Sequence, residues 1–107
     1  MKSIIDKIKS LGWAYLEEHY PNGDVMTYIF RRNDAVIKDA FWEVSVEDHH
    51  DEGDCDDWLI YSRYHDPDEK DWFGNQIDTH GCVEYETMKL IMKFVACLES
   101  KRKWRDK

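Results

Sequence analysis

Apolar residues first recur at helical spacing. In "SIIDKIKSLG", Ile4, Ile5, Ile8 and Leu11 fall on one stripe, the pattern of an amphipathic helix. Ser3 is placed to cap it, Asp6 stands three residues on as in a capping box, and Gly12 suits the stop. The pattern then shortens to that of strands. Aromatic-rich segments at 13–20 and 24–32 flank Asn22-Gly23, a pair that tolerates positive φ and marks a hairpin. A third strand is expected over 36–48, where Trp42, Val44 and Val46 alternate with Glu43, Ser45 and Glu47. One of its faces should be buried and the other acidic and wet. "WLIYSRYH", 58–65, reads as a fourth strand, and residues 66–82 as irregular, broken by Pro67, Gly74 and Gly81.

The helical period returns over 83–103. Met88, Ile91, Met92, Val95 and Leu98 trace its buried face, and Glu86, Lys89 and Lys93 its solvent side. The order is αββββα. The expected fold is α+β: an N-terminal helix, a four-stranded antiparallel sheet and a C-terminal helix, both helices on one face of the sheet.

A chain of 107 residues is the size of one ordinary domain, and 1–107 is read as one. The aromatic share, 14%, is too high for a disordered acidic segment. Cys55, Cys82 and Cys97 form no C-x-x-C pair and are odd in number, which suits a reducing compartment. Asp6, Lys7 and Lys9 interrupt the stretch where a signal peptide needs an apolar run, and "FVACL" is far too short to span a membrane. The expected location is the cytoplasm.

Charge changes the picture most. Residues 43–71 carry twelve Asp/Glu against Arg63 and Lys70, a balance of −10 in a chain of net charge −8. Seven of those acids fall between Glu47 and Asp57, and "DPDEKD", 66–71, forms a second cluster. The tail "KRKWRDK" is basic. Phosphates repel such a protein, so direct nucleic-acid binding is not expected; a basic protein surface is the better match.

Metal and catalysis compete for the same residues. His49, His50, Asp51, Glu52, Asp54 and Cys55 include every common ligand type. Setting Gly53 at the sixth position of an EF-hand loop puts His50 third and Leu59 twelfth, where a bidentate Glu belongs, so that pattern fails. No paired spacing for zinc occurs, although His80-x-Cys82 offers two ligands. His80 and Cys82 also allow a thiol and base to be drawn, but sequence proximity does not make a catalytic pair. No phosphate-cradling loop or cofactor motif is present. No catalytic residue, metal site or cofactor is assigned, and the chain is read as a non-enzyme.

Two readings of the acids remain. One is a solvated, self-repelling loop that aids solubility. The other is a surface of carboxylates that presents a phosphate-like potential to a basic groove. Trp72 and Phe73, in a charged segment, either fold back over an open core edge or anchor a partner.

In length, acidity, α+β organisation and clusters such as "EDHHDEGDCDD" and "DPDEKD", the chain resembles small acidic inhibitors of phages and mobile elements, the anti-CRISPR and anti-restriction proteins. That resemblance implies an inhibitor of a nucleic-acid-processing nuclease such as a Cas protein. The partner-binding residues would be Glu43, Glu47, Asp48, Asp51, Glu52, Asp54, Asp56, Asp57, Asp66, Asp68, Glu69 and Asp71, with Trp72 and Phe73 for apolar anchorage. An immunity protein that neutralises a bacterial toxin would use the same physics, and a small metal-binding domain is the further alternative.

Overall fold

A computed structural model of the chain describes residues 2–19, 25–50 and 57–105. Along them run α1 (Lys2–Ser10), β1 (Ala14–His19), β2 (Met26–Asn33), β3 (Phe41–Asp48), β4 (Trp58–Lys70), β5 (Gln76–His80) and α2 (Tyr85–Arg105). The α+β class and the helix at each end agree with the sequence. The sheet has five antiparallel strands instead of four, in the order β1-β2-β3-β4-β5. Contacts group the chain into two compact units, Met1–Trp13 with Val83–Lys107, and Ala14–Cys82.

In the helical unit α1 packs on α2. α1 begins at Lys2, so Ser3 lies inside the helix and is not its cap. The other end closes as its composition requires. Ser10 Oγ donates to the Lys7 carbonyl at 2.6 Å, and the amides of Leu11 and Gly12 reach the carbonyls of Ile8 and Lys9. Gly12 takes φ 97°, a left-handed conformation that glycine adopts without steric cost. α2 buries Thr87, Ile91, Phe94, Val95 and Leu98. Met92, expected on that face, is 48% exposed. The stripe steps by four, three and four residues from Thr87 to Leu98 and centres on Phe94, which turns Met92 outward.

In the sheet unit β1 pairs with β2 from Ala14↔Arg31 to His19↔Met26, as a hairpin requires. Its connection, 20–24, with Asn22 and Gly23, lies outside the described residues. Phe30 of β2 opposes Val44 of β3, and Tyr28 opposes Val46. Phe30, Val44 and Val46 are fully buried, and Tyr15, Trp42, Ile60 and Tyr64 share their face by register. The other face carries Leu16, Ile29, Arg31, Glu43, Tyr61 and Arg63.

The segment 66–82 is where sequence and structure part. β4 continues to Lys70, and β5 pairs with it through Arg63↔His80, Tyr64↔Thr79, His65↔Asp78 and Lys70↔Gln76. Between the last two pairs β4 has four residues and β5 one, so "DPDE" buckles out as a bulge. Pro67 has no amide to give the ladder, and a bulge is one of the few places in a strand that accepts it. Gly74, at φ 84°, turns the chain at the tip. Pro67 and Gly74 therefore shape a hairpin in a segment that was expected to be irregular.

Gly81 returns the chain past β4. A Cβ on it would stand 2.6 Å from the carbonyl carbon and oxygen of Arg63, closer than any side chain tolerates. Ser62 Oγ donates to the Gly81 carbonyl at 2.9 Å. Gly81→Ala should therefore loosen β5 and lower stability by about 1–3 kcal/mol, measured as the urea midpoint, with faster amide exchange in 76–80 than in β2 and β3. An unchanged midpoint and exchange pattern would rule out this close approach.

Candidate functional site

The polar face of the sheet is built around Glu43, which register sets between Arg31 and Arg63. Glu43 is only 5% exposed. Arg31 donates to Oε1 through Nε at 3.1 Å and a terminal nitrogen at 2.6 Å, and Arg63 Nε donates to Oε2 at 2.6 Å. Arg63 also pairs with Asp78, and Asp78 meets His65 Nδ1 at 2.7 Å. Phe41 lies beside this chain of charges. The Arg31 guanidinium stands 4.5 Å from its ring centre, and His65 stacks on it at 4.9 Å.

Burial alone would raise the Glu43 pKa, but hydrogen bonds from Arg63 and Arg31, and then their charges, hold it below the usual carboxylate value. Asp78 is lowered likewise: partial burial acts upward, and His65 and Arg63 outweigh it. In Arg63 desolvation acts downward, but Glu43 and Asp78 raise the pKa. An open groove of about 630 Å³ runs over this face, lined in part by Glu43, Glu47, Tyr61, Arg63, Asp78 and His80. The face that was expected to be acidic and wet is instead a neutralised ladder. Both oxygens of Glu43, one of the residues expected to meet a partner, are committed to arginines.

The other expected residues separate into two groups. At the end of the sheet where β3 leaves and β4 enters, Glu47 pairs with His49 Nε2 at 2.7 Å and Asp48 with His50 Nδ1 at 2.6 Å. The Asp57 carbonyl accepts from the His49 amide at 3.1 Å, so the ends of the acidic connection stand together. Asp51, Glu52, Asp54 and Asp56, with Cys55, lie outside the described residues.

The second group occupies the opposite end. β3 begins at Phe41, opposite His65, so β4 beyond His65 and its return through β5 form a two-stranded arm. Counted along β5, it projects roughly 10–13 Å past β3. Asp66, Asp68 and Glu69 sit in its bulge. Asp66 Oδ1 accepts from the Asp68 amide at 2.9 Å, and among the described residues none of the three acids makes an ion pair. Their field reaches Tyr64, whose phenol is pushed up by desolvation, by its hydrogen bond to Asp34, and then by the charges of Asp34, Asp66 and Glu69.

Asp71 holds the tip of the arm. Its Oδ1 accepts from the amides of Phe73 and Asn75, both at 2.9 Å, and Oδ2 from the Asn75 side chain at 3.3 Å. The Asp71 amide donates to the Asn75 carbonyl at 2.8 Å, and the Gly74 amide to the Asp71 carbonyl at 3.0 Å. The hydrogen bond from the Asn75 amide, above all, keeps the Asp71 carboxyl below its ordinary value. Trp72 is 96% exposed and Phe73 86%, so neither folds back over the core.

Sequence reasoning missed Arg31, Arg63, Asp78, His65 and Phe41. Their signal lay in register: three strands aligned with Arg31, Glu43 and Arg63 side by side. Among the described residues no three His, Cys, Asp or Glu side chains gather as a metal site, and Cys82 is an exposed free thiol. No helix of these residues is long and apolar enough to cross a membrane.

Because the folded pKa values of Glu43 and Asp78 lie below their unfolded ones, the stability they contribute is present above the ordinary carboxylate range. It is lost as pH falls through the folded values. Glu43→Gln should cost about 1–3 kcal/mol at neutral pH, less than a fully buried pair because both arginines are partly solvated. The gap from the unaltered chain should shrink in acid, below the ordinary carboxylate range, because there the unfolded chain takes up protons that the paired carboxylates of the folded chain resist. Urea unfolding at neutral and at acid pH checks this; a gap that stays constant would show that charge is not its source.

In comparison with known proteins, no family model, no curated protein and no solved structure matches the chain.

Proposed function

We propose that the protein is an acidic inhibitor that docks on the basic, nucleic-acid-facing surface of a nuclease effector, of CRISPR or restriction type. It would exclude nucleic acid by steric and electrostatic means. The observation that carries this reading is the division of the acidic charge. Carboxylates on the sheet face are matched by Arg31 and Arg63, whereas on the arm Asp66 is half-buried, Asp68 and Glu69 are exposed, and among the described residues none of the three makes an ion pair. Charge left unmatched on a projecting element favours an opposite surface and speeds encounter with it.

The spacing of the two acidic ends supports the same reading. β4 from Trp58 to His65 covers eight residues, so with the arm the ends of the 49–57 connection stand roughly 35 Å from the tip. That is about the rise of ten base pairs. A groove shaped for one turn of duplex would meet carboxylates at both ends and a neutral ladder between. The mimicry is of two separated anionic patches, not of a continuous row of phosphates.

The test is DNA cleavage by purified nucleases, guide-loaded CRISPR effectors and restriction enzymes, with increasing amounts of the protein. Inhibition should be relieved by excess DNA and by salt. A D66K/D68K/E69K variant should inhibit about tenfold or more weakly near 0.1 M NaCl, and the difference should narrow near 0.5 M as charges are screened. Full inhibition by the folded variant, or no inhibition of any enzyme by the unaltered chain, refutes the proposal.

A further inference from the structure

Nine-tenths exposure of two adjacent aromatic residues is costly in water, and a loose loop would relieve it by collapse. Here the backbone forbids that. Asp71 ties the amides of Phe73 and Asn75 through one oxygen, its own amide meets the Asn75 carbonyl, and Gly74 supplies the left-handed residue that closes the turn. The rings are held out at the end of a two-stranded arm. Burying them on a partner would order little further backbone, because the turn is already formed.

The surroundings specify the receiving surface. Residues 66–71 hold four acids, Asp66, Asp68, Glu69 and Asp71, against Lys70, a balance of −3. Asp71 is turned into the turn by its own hydrogen bonds, which leaves three carboxylates behind the rings. Val36, in the β2–β3 connection at the same end of the sheet, is also exposed. A membrane of anionic lipid would be repelled, and so would the identical tip of a second copy.

Resting on the nuclease reading above, we infer that Trp72 and Phe73 form a preorganised plug that enters an apolar cleft of the nuclease rimmed by Lys and Arg. Asp71 is the positioning residue that sets the plug, not a charge that meets the partner. Affinity then has two separable parts, a salt-sensitive one from the bulge carboxylates and a salt-resistant one from the rings.

The experiment measures affinity for the inhibited nuclease near 0.1 M and near 0.5 M NaCl. Trp72→Ala and Phe73→Ala should each weaken binding about tenfold or more at both salts, the loss expected of a central aromatic anchor. Asp71→Ala should do the same by freeing the turn. Asp71→Asn keeps the accepting oxygen and loses the charge, so it should bind within about threefold of the unaltered chain. Circular dichroism and the urea midpoint confirm that each variant is folded. Aromatic variants that bind like the unaltered chain overturn the plug while the nuclease reading stands. Asp71→Asn falling as far as Asp71→Ala would make Asp71 a charge contact and overturn its positioning role. Self-association through the tip, or binding to phosphatidylcholine/phosphatidylglycerol vesicles that the Trp72 variant loses, would assign the rings to another surface. No binding to any nuclease by the unaltered chain removes both the reading and the plug.

Discussion

Each oxygen of the Glu43 carboxylate takes a guanidinium, Arg31 from β2 on one side and Arg63 from β4 on the other. A carboxylate at 5% exposure with one of these removed would keep its desolvation cost and lose its compensation. Side chains alternate along a strand with a period of two, so a slip of β2 or β4 by one residue would carry its arginine to the opposite face. The slip would also pull Phe30 away from Val44. Apolar pairing on one face and ion pairing on the other thus demand the same alignment of three strands. The electrostatic half penalises wrong registers more sharply than a Val or Phe would, because a misplaced methyl group costs less than an orphaned charge.

This constraint decides where acidity reaches solvent. The net charge is a property of composition, but its distribution is a property of register. Arg31 and Arg63 are paired with Glu43 and Asp78 in the middle of the sheet, whereas the bulge of β4 at one end holds acids without such pairs among the described residues. At the other end Glu47 and Asp48 hydrogen-bond to His49 and His50. On the inhibitor reading proposed above, a partner would sense a polarised surface with a neutral waist. Two oppositely placed acidic patches discriminate by spacing as well as by sign, which one diffuse acidic loop cannot do.

Both helices, four strands (the fourth as far as His65) and the β1–β2 hairpin were legible in the sequence, because each rests on a local period or a turn pair. β5 was not. "QIDTH" is short and has no apolar alternation to mark it, since all five residues are exposed. Pro67 and Gly74 read as breakers because local rules treat them so, yet a bulge and a hairpin tip use the same residues for the same conformations. Glu43 was misread for a related reason. Alternation correctly put it opposite Val44, but whether that face is wet depends on what β2 and β4 place beside it. Only long-range register brings Arg31 and Arg63 there, twelve and twenty residues away. Exposed Trp72 and Phe73 were open to either reading, because exposure is decided by the arm beyond β3 and not by neighbours in sequence.

The arm itself raises an energetic question, since two strands without a covered face are marginally stable in water. Its base and tip are fixed by different means. At the base, Asp78 joins His65 and Arg63, and through Arg63 the buried Glu43, while Gly81 lets the chain run tight against β4. At the tip, Asp71 supplies acceptors for amides that a five-residue turn would leave to water. Between them Pro67 removes one donor and one flexible φ from the bulge. The polar ladder therefore has a reach beyond its own strands. It anchors the base of an element that has almost no apolar burial, so the conformational entropy of the arm is lost during folding. A surface feature that looks dispensable for stability is in this way tied, through three side chains, to the best-buried carboxylate in the sheet.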